Sequence, residues 1–418
     1  MKPPRGSSAS LRGRLRRWAG LAHLWLGLSV GLVFGVAGIT GTLLVFYVEA
    51  DAATHQAVRA VAPVRGPVVY EPVLRALQAH APQRPGAWRL EVTDEGGAIP
   101  VRYYAPAETQ GRGFAPLMLW VDPARGTVVR EAFWGEYLGT WIYDLHYALL
   151  MGDAGKKVMA VTGGLVLVLL LGGAWLWWPA RGKLRSALTL KPAATPQRRV
   201  YDLHKVAGIY GLLPLLVLIA SGVVLGAPEW FRPVLGPLYE QPELASAASA
   251  EAPRIPVDHA VARAQAMFPQ ARLAWIETPA GPDGVYRINL QQPGEPSRRF
   301  PRTNVWLDQY SGQVLAVRDP RREGAGDVLL NWMHAIHSGE AGGLAGRLLV
   351  FVSGLGAASL LVTGLIRFGH KRRARALAGR RETPIGVRPS AEAVARRRQE
   401  TCGDAGYPSW PRNSRGLN

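Results

Sequence analysis

Histidine is the residue type in this chain whose placement could support chemistry. The sequence of 418 residues contains nine histidines, and six of them lie at or near the ends of long apolar stretches. A neutral imidazole is a good ligand for transition metals and for haem iron. Ionisable side chains are costly within a membrane bundle, so these histidines are candidates for a functional site. The six are His23, His146, His204, His334, His337 and His370.

Four apolar stretches determine where these histidines lie. Each spans roughly 20 residues, the length at which an α-helix crosses a hydrocarbon core of about 30 Å. The first stretch is too long for the core of a signal peptide, so we expect it to be retained. The sequence therefore predicts an all-α four-helix transmembrane bundle. The predicted spans are residues 20–47, 157–178, 206–227 and 344–367.

The charge distribution predicts the orientation of these spans. The chain has 49 Lys and Arg against 30 Asp and Glu, and the basic residues cluster beside the apolar stretches. This pattern indicates a lipid bilayer as the partner, with no nucleic acid. Segments 1–19, 179–205 and 368–418 are predicted to be cytoplasmic, with both termini inside a bacterial inner membrane. The only cysteine, Cys402, lies in the last segment, so no intrachain disulfide can form.

The long segments 48–156 and 228–343 are then predicted to lie in the periplasm, and they resemble each other. Residues 119–129 align with residues 305–315, and both read as a strand, an Asp-x-x-x-Gly turn and a second strand. A helical pattern precedes each strand group. The sequence therefore predicts an internal two-fold repeat in which each copy carries an exported α+β domain. The predicted helices lie near residues 70–80 and 257–268.

The repeat also pairs the histidines. His23 and His204 begin the first and third spans on the cytoplasmic side, whereas His146 and His337 precede the second and fourth spans on the outer side. An ungapped alignment pairs His146 with His334 instead, so the partner of His146 stays open between His334 and His337. Two imidazoles on facing helices can fill both axial positions of a haem iron, which favours electron transfer. The sequence thus predicts one haem near each face of the membrane.

The remaining histidines give weaker signals. His370 is predicted to be solvated or lipid-facing, and His55, His80 and His259 lie in exported segments without a visible cluster of partners. Glycines in the spans have two interpretations, because they either leave room for a macrocycle or let helices pack closely. These glycines are Gly27, Gly31, Gly35, Gly38, Gly163, Gly164, Gly208, Gly211, Gly354 and Gly356.

Sequence motifs for other cofactors are not found. The chain has no Gly-rich phosphate loop and no dinucleotide fingerprint, so neither a flavin nor a nicotinamide site is predicted. Electrons would have to come from a membrane quinol or a cytoplasmic reductase.

Three segments resemble the PepSY-associated transmembrane (PepSY_TM) family: residues 203–208, 332–343 and 362–364. Members repeat a membrane helix, an exported PepSY domain and a second membrane helix. Within that family the chain resembles iron-regulated inner-membrane proteins, including ferric-siderophore reductases of the FoxB type. The resemblance implies b-type haem and electron transfer to a ferric siderophore or other ferric chelate in the periplasm. One departure is Leu365–Phe368, where a tryptophan is expected.

Two other functions fit the same sequence. The PepSY-like domains could form a binding or regulatory module that restrains a periplasmic protease or senses a ligand, without redox activity. A transporter of siderophore or metal is disfavoured, because four helices offer little pathway and the sequence shows no broken helix or buried acidic pair.

Overall fold

A computed structural model describes residues 11–92, 97–104, 106–180, 182–191, 193–247 and 253–382. The chain divides into two units, residues 1–365 and residues 366–418. Cys402 lies outside the described residues.

Thirteen α-helices occur among the described residues. Three of them, α1, α6 and α13, are much longer than the rest. In chain order the helices are α1 (Leu11–Leu44), α2 (Tyr47–Thr54), α3 (Gln56–Arg59), α4 (Glu71–His80), α5 (Leu138–Ala148), α6 (Gly152–Trp177), α7 (Leu184–Leu188), α8 (Pro196–Tyr210), α9 (Leu212–Gly226), α10 (Arg232–Leu235), α11 (Val257–Met267), α12 (Ala325–His337) and α13 (Gly343–Glu382).

The three long helices α1, α6 and α13 are apolar enough to cross a membrane. The shortest of them, α6, has 26 residues, which corresponds to a length of roughly 39 Å. A hydrocarbon core is about 30 Å thick, so each helix suffices to span it. They contain most of the predicted spans 20–47, 157–178 and 344–367. The chain is therefore a membrane protein, as the sequence predicts.

The third predicted span, 206–227, is not one straight helix. Helices α8 and α9 meet at Gly211 with a bend of 61°, and only as a pair are they long and apolar enough for a membrane segment, which is either a broken span or a re-entrant loop. Pro214 lies in the first turn of α9 and has no N–H to donate to the Tyr210 carbonyl, which favours a break at this position. The expectation that no helix is broken is therefore wrong.

Eight strands form one antiparallel sheet in the order β4-β3-β2-β1-β5-β6-β7-β8. The sequence assigns these strands to two exported α+β domains. In the structure β1 pairs with β5, with Leu90 opposite Ile276, so the two segments share a continuous sheet. The strands are β1 (Trp88–Glu91), β2 (Ile99–Tyr103), β3 (Leu117–Asp122), β4 (Thr127–Phe133), β5 (Arg272–Glu277), β6 (Val285–Gln291), β7 (Thr303–Asp308) and β8 (Val314–Arg318).

One face of the sheet forms a hydrophobic core with α4 and α11. Leu77 of α4 and Ala264 of α11 are fully buried against strand residues such as Leu90 and Ile288. Side chains alternate along a strand, so the charged neighbours of these core residues lie on the opposite face. Helices α4 and α11 occupy the positions that the periodicity predicts, near residues 70–80 and 257–268.

Both predicted turns form as the sequence indicates. The Asp122 carboxylate accepts hydrogen bonds from the backbone N–H groups of Ala124 and Arg125. The Asp308 carboxylate accepts the corresponding bonds from Tyr310 and Ser311. The glycines that close the two turns, at positions 126 and 312, have φ of 63° and 68°. Glycine adopts this conformation at the lowest cost, which explains the Asp-x-x-x-Gly pattern.

Candidate functional site

His146 and His337 come together from two short helices that precede long ones. Each histidine lies in the last turn of its helix, α5 or α12. Their ring centroids are 6.1 Å apart and the ring planes are inclined by 49°. We call them the proximal pair, because they lie near the sheet domain. Helix α12 contacts that domain through His334, whose ring packs against Phe300 with centroids 4.6 Å apart.

Tight turns direct both short helices back onto the bundle. After α5, Leu149 and Leu150 adopt positive φ of 50° and 59°. After α12, Gly339 has φ of 76°, and a Cβ there would lie 2.5 Å from the Gly346 carbonyl oxygen. Only glycine fits such a close approach of two backbones. The turns therefore place the ends of α5 and α12, and with them both histidines, beside the long helices.

Each proximal ring lies in a seat on a neighbouring helix. His146 Nδ1 is 3.1 Å from the Ala37 carbonyl oxygen and 3.0 Å from Thr40 Oγ1, both on α1. The His146 ring also packs on Gly41, because a Cβ added to that glycine would lie 3.0 Å from His146 Cε1. The seat thus consists of a carbonyl, a hydroxyl three residues later and a glycine.

The seat of His337 on α9 has the same composition. His337 Nδ1 is 2.8 Å from the Leu218 carbonyl oxygen and 3.1 Å from Ser221 Oγ. A Cβ on Gly222 would lie 2.9 Å from His337 Cε1. The same three-part arrangement therefore positions both proximal rings.

His23 and His204 form a second pair, which we call the distal pair. Their ring centroids are 6.5 Å apart and the ring planes are inclined by 87°. His23 Nδ1 is 3.2 Å from the Leu169 carbonyl oxygen on α6, and a Cβ on Gly173 would lie 2.9 Å from its Cε1. His204 Nδ1 is 2.9 Å from Thr363 Oγ1 on α13, and a Cβ on Gly364 would lie 3.5 Å from its Cε1.

Helix α1 gives the distance between the two levels. Thr40, which contacts the proximal pair, follows His23 by 17 residues, or roughly 26 Å along the helix axis. Buried apolar side chains of four helices, including Val166, Leu215 and Ala357, pack between these levels. The pairs are thus separated by most of the thickness of a hydrocarbon core.

The acceptors on these helices fix the tautomer of the rings. A carbonyl oxygen only accepts hydrogen bonds, so the Nδ1 atoms of His23, His146 and His337 must carry the proton. Thr363 Oγ1 donates to the Ser359 carbonyl at 2.6 Å, so it accepts from His204 Nδ1. In a neutral ring with the proton on Nδ1, the lone pair is on Nε2. Metal-ligating histidines commonly have this arrangement.

The ring spacing fits two axial ligands of one iron atom. A metal–imidazole nitrogen bond is about 2 Å long and the ring centre lies roughly 1 Å beyond the nitrogen, so two trans imidazoles have centroids about 6 Å apart. Both pairs meet this requirement. Groups of three or more His, Cys, Asp and Glu side chains that could hold a metal ion are absent from the described part of the chain. Pairs of neutral imidazoles could act as ligands of a haem iron.

His334 lies apart from the two pairs. Besides its contact with Phe300, its Nδ1 is 3.9 Å from a Glu340 carboxylate oxygen. The structure therefore places His337, and not His334, opposite His146. His80 bonds Glu131 at 2.8 Å and His55 Nδ1 bonds the Asp51 carbonyl at 2.7 Å, both on the sheet domain or its connection to α1. His259 contacts Arg263, and His370 belongs to the unit that begins at residue 366.

The glycines named from the sequence mainly serve helix packing. A Cβ on Gly38 would lie 2.7 Å from Ala357 Cβ, and one on Gly163 would lie 2.5 Å from Val223. The glycines that touch the histidines are different ones, at positions 41, 173, 222 and 364. Sequence reasoning missed three of these and the hydroxyls beside them. The dipeptides Thr40-Gly41, Ser221-Gly222 and Thr363-Gly364 are a signal that is not specific, because Thr162-Gly163 and Ser353-Gly354 also occur in the spans and pack on other helices.

The sheet face opposite the main hydrophobic core combines a smaller hydrophobic cluster, Met118, Trp120 and Trp134, with stacked arginines, and Tyr143 of α5 packs against it. Arg130 stacks over Trp120 at 4.0 Å, and Arg89 stacks over Trp275 at 4.1 Å. Burial would raise the pKa of Glu91, but Arg102, 2.7 Å away, and Arg89 outweigh it and lower this pKa. The buried carboxylate therefore stays ionised near neutral pH, and this layer is held together by paired charges.

Comparison with known proteins agrees with this architecture. No curated protein matches the chain at a significant level. The PepSY-associated TM region family matches residues 21–371, which include all five candidate histidines and every helix that forms the two pairs. The chain belongs to the PepSY-associated TM region family.

Proposed function

We propose that this protein is a haem-b electron-transfer protein of the bacterial inner membrane. It would reduce a ferric siderophore or another ferric chelate in the periplasm for iron acquisition, as ferric-siderophore reductases of the FoxB type do. The observation that carries the proposal is the recurrence of facing imidazoles at two levels of the bundle, 6.1 and 6.5 Å apart.

The proposed topology has four spans in two copies, with α8 and α9 counted as one span and both termini in the cytoplasm. The ring seats support the repeat. In the first copy, His23 is seated on α6 and His146 on α1. In the second copy, His204 is seated on α13 and His337 on α9. Each histidine thus uses the other span of its own copy, which a duplicated unit predicts.

The chain's own residues would hold two haems, one at each pair. Bound haem supplies reversible one-electron chemistry between ferric and ferrous iron. The proximal and distal histidines would each present Nε2, while their Nδ1–H bonds orient the rings and increase their basicity as ligands. With two imidazoles as its ligands, a bound haem would support electron transfer and would not bind oxygen. The apolar side chains between the levels exclude water from the bundle.

The electron donor would be a membrane quinol or a cytoplasmic reductase, and the acceptor would be a ferric chelate. With both termini in the cytoplasm, the proximal pair lies at the outer face beside the sheet domain. Electrons would therefore leave the bundle on the side where the sheet domain can bind a chelate.

Anaerobic mixing with ferric chelates tests this function. Purified protein is reduced with dithionite, freed of reductant and mixed with the ferric complexes of citrate, a trihydroxamate and a tricatecholate. We expect at least one complex to reoxidise the haem and to release Fe(II) to a ferrous-specific chelator. A protein that contains haem but is oxidised by none of them would rule out the reductase. If the protein binds no haem, and if replacing all four paired histidines does not impair its role in the cell, it would instead be a binding or regulatory module.

A further inference from the structure

A groove on the sheet domain is formed by the segment that connects β2 and β3. It encloses about 580 Å³, within the range of small-molecule sites. Tyr103, Tyr104 and Phe114 contribute aromatic walls, and 41% of the Phe114 surface is exposed. The groove is close to the bundle, because a Cβ on Gly113 would lie 3.8 Å from Gly152 Cα at the start of α6.

The charged side chains of this groove are already paired. Arg84 donates two hydrogen bonds to the Glu108 carboxylate, at 2.6 and 3.1 Å. Arg112 donates to Glu136 at 3.1 Å. A ligand would therefore meet aromatic surface and charge-balanced walls, which suits a compact organic chelate better than a bare ion.

A series of aromatic ring contacts leads from this groove to Tyr143 on α5, the helix that carries His146. Ring centroids are 6.4 Å apart for Tyr104 and Phe114, 5.2 Å for Phe114 and Trp134, and 5.3 Å for Trp134 and Tyr143. Tyr143 precedes His146 by one turn of α5. Trp134 is 5% exposed, and its Nε1 donates to the Asp144 carboxylate at 2.9 Å, which fixes its ring against α5.

We propose that this groove is the docking site of the ferric chelate and that Phe114, Trp134 and Tyr143 connect it electronically to the proximal pair. This inference rests on the proposed function. In this proposal, haem held by the proximal pair would supply one electron, which would reduce the chelated Fe(III) to Fe(II) without a bond forming or breaking. The rings are not themselves oxidised. They fill the space between the groove and α5, which matters because electron tunnelling weakens steeply across unfilled gaps.

A second groove provides an internal control. It encloses about 480 Å³ and is lined by Tyr239, Met267, Phe268 and Arg318. Tyr239 stacks with the Arg318 guanidinium at 4.2 Å. Among the described residues, no series of ring contacts leads from this groove to a helix that carries a paired histidine. It is similar in size but lacks the connection.

Binding of redox-inert complexes tests the docking site. The gallium(III) complexes of citrate, a trihydroxamate and a tricatecholate are titrated calorimetrically into the full-length, haem-containing protein. We expect binding by the gallium complex that corresponds to the ferric complex with the fastest reoxidation. Phe114→Ala should raise the Kd of this gallium complex about tenfold, as for loss of one aromatic contact. Met267→Ala in the control groove should leave Kd unchanged. The docking site is overturned if Met267→Ala weakens binding while Phe114→Ala does not, or if no gallium complex binds although ferric complexes oxidise the protein.

Replacing the buried tryptophan tests the connection separately. Trp134→Leu removes a ring from the series, so reoxidation by a saturating concentration of the ferric complex should slow several-fold, and the Kd of the gallium complex is measured in the same variant because Trp134 also packs on Phe114. Trp134→Phe keeps a ring and should restore most of the rate. Equal rates in all three proteins would overturn the connection. Absence of haem from the wild-type protein, or failure of every ferric chelate to oxidise it, would instead contradict the proposed function itself.

Discussion

The two histidine pairs are built alike but differ in the angle between their rings. Both proximal rings have a carbonyl and a hydroxyl within hydrogen-bond distance of Nδ1. In the distal pair, His23 donates to a carbonyl and His204 to a hydroxyl. The proximal ring planes are inclined by 49° and the distal planes by 87°. Two sites with similar seats therefore differ in ring geometry.

This difference should distinguish two bound haems in spectra. In low-spin ferric haem, perpendicular imidazole planes give a more anisotropic electron paramagnetic resonance signal than planes at a smaller angle. We therefore expect two signals, the more anisotropic one from the distal pair. The pair nearer the sheet domain, which would donate to substrate, has the smaller angle.

Removing one ligand from each pair has the largest expected effect. His337→Ala should remove the haem of the proximal pair and the less anisotropic signal, because one axial position is lost. His204→Ala should remove the other haem and the other signal. The haem content per chain should fall from two to one in each variant. It is measured together with the electron paramagnetic resonance spectrum of that variant. His80→Ala on the sheet domain is the control and should keep both haems, whereas loss of the same signal in both histidine variants would contradict two separate sites.

Adding a methyl group to the seats should affect His337 and His204 unequally. The Cβ of Gly222→Ala would lie 2.9 Å from His337 Cε1, so the ring must shift, whereas Gly364→Ala at 3.5 Å makes an ordinary contact with His204. Overpacking of this kind costs about 1–3 kcal/mol, or roughly ten- to a hundredfold in haem retention. Transfer of haem to excess apomyoglobin measures this loss. Faster release from Gly364→Ala than from Gly222→Ala would contradict the seat geometry.

Removing the Ser221 hydroxyl should change the redox potential of the proximal haem without releasing the haem. Ser221→Ala leaves the Leu218 carbonyl as an acceptor for His337 Nδ1–H, so the haem should remain bound. Loss of one hydrogen bond is worth about 0.5–1.5 kcal/mol, which corresponds to a change of roughly 20–65 mV for a one-electron couple. The midpoint potential of the proximal haem should rise, because the imidazole donates less electron density to Fe(III).

Spectroelectrochemical titration measures both potentials in the same sample. Ser221→Thr keeps a hydroxyl and should restore the proximal value, and the distal potential should not move in either variant. A shift confined to the distal haem would contradict the assignment of Ser221 to His337.

The smallest effect is expected at His334. His334→Ala removes a ring that packs on Phe300 and not on a facing histidine, so both haems should remain. Comparison with His337→Ala in the same haem assay decides between the two residues. Loss of the proximal haem from His334→Ala, with retention in His337→Ala, would reverse the assignment.

Much of this arrangement follows from repetition and periodicity in the sequence. The pairing of His23 with His204 follows from the matched start of two spans, and the helices and Asp-x-x-x-Gly turns of the sheet domain follow from local patterns. Those features depend on residues close together in the chain. Local propensity is sufficient to predict them.

The remaining features depend on contacts between distant residues. Both His334 and His337 lie on α12, and only the packing of that helix shows which ring faces His146. Pairing of β1 with β5 joins residues near 90 to residues near 276, which alternation within either strand cannot reveal. The glycine seats were missed because small residues are common in membrane helices for packing alone.

The most direct measurement of the central claim is the haem content of the purified, full-length protein. A pyridine haemochrome assay, combined with a reduced-minus-oxidised spectrum, gives the haem type and the number of haems per chain. The paired histidines predict low-spin b haem at two per chain. Protein that folds and inserts into membranes with haem available, yet contains none, would contradict the account.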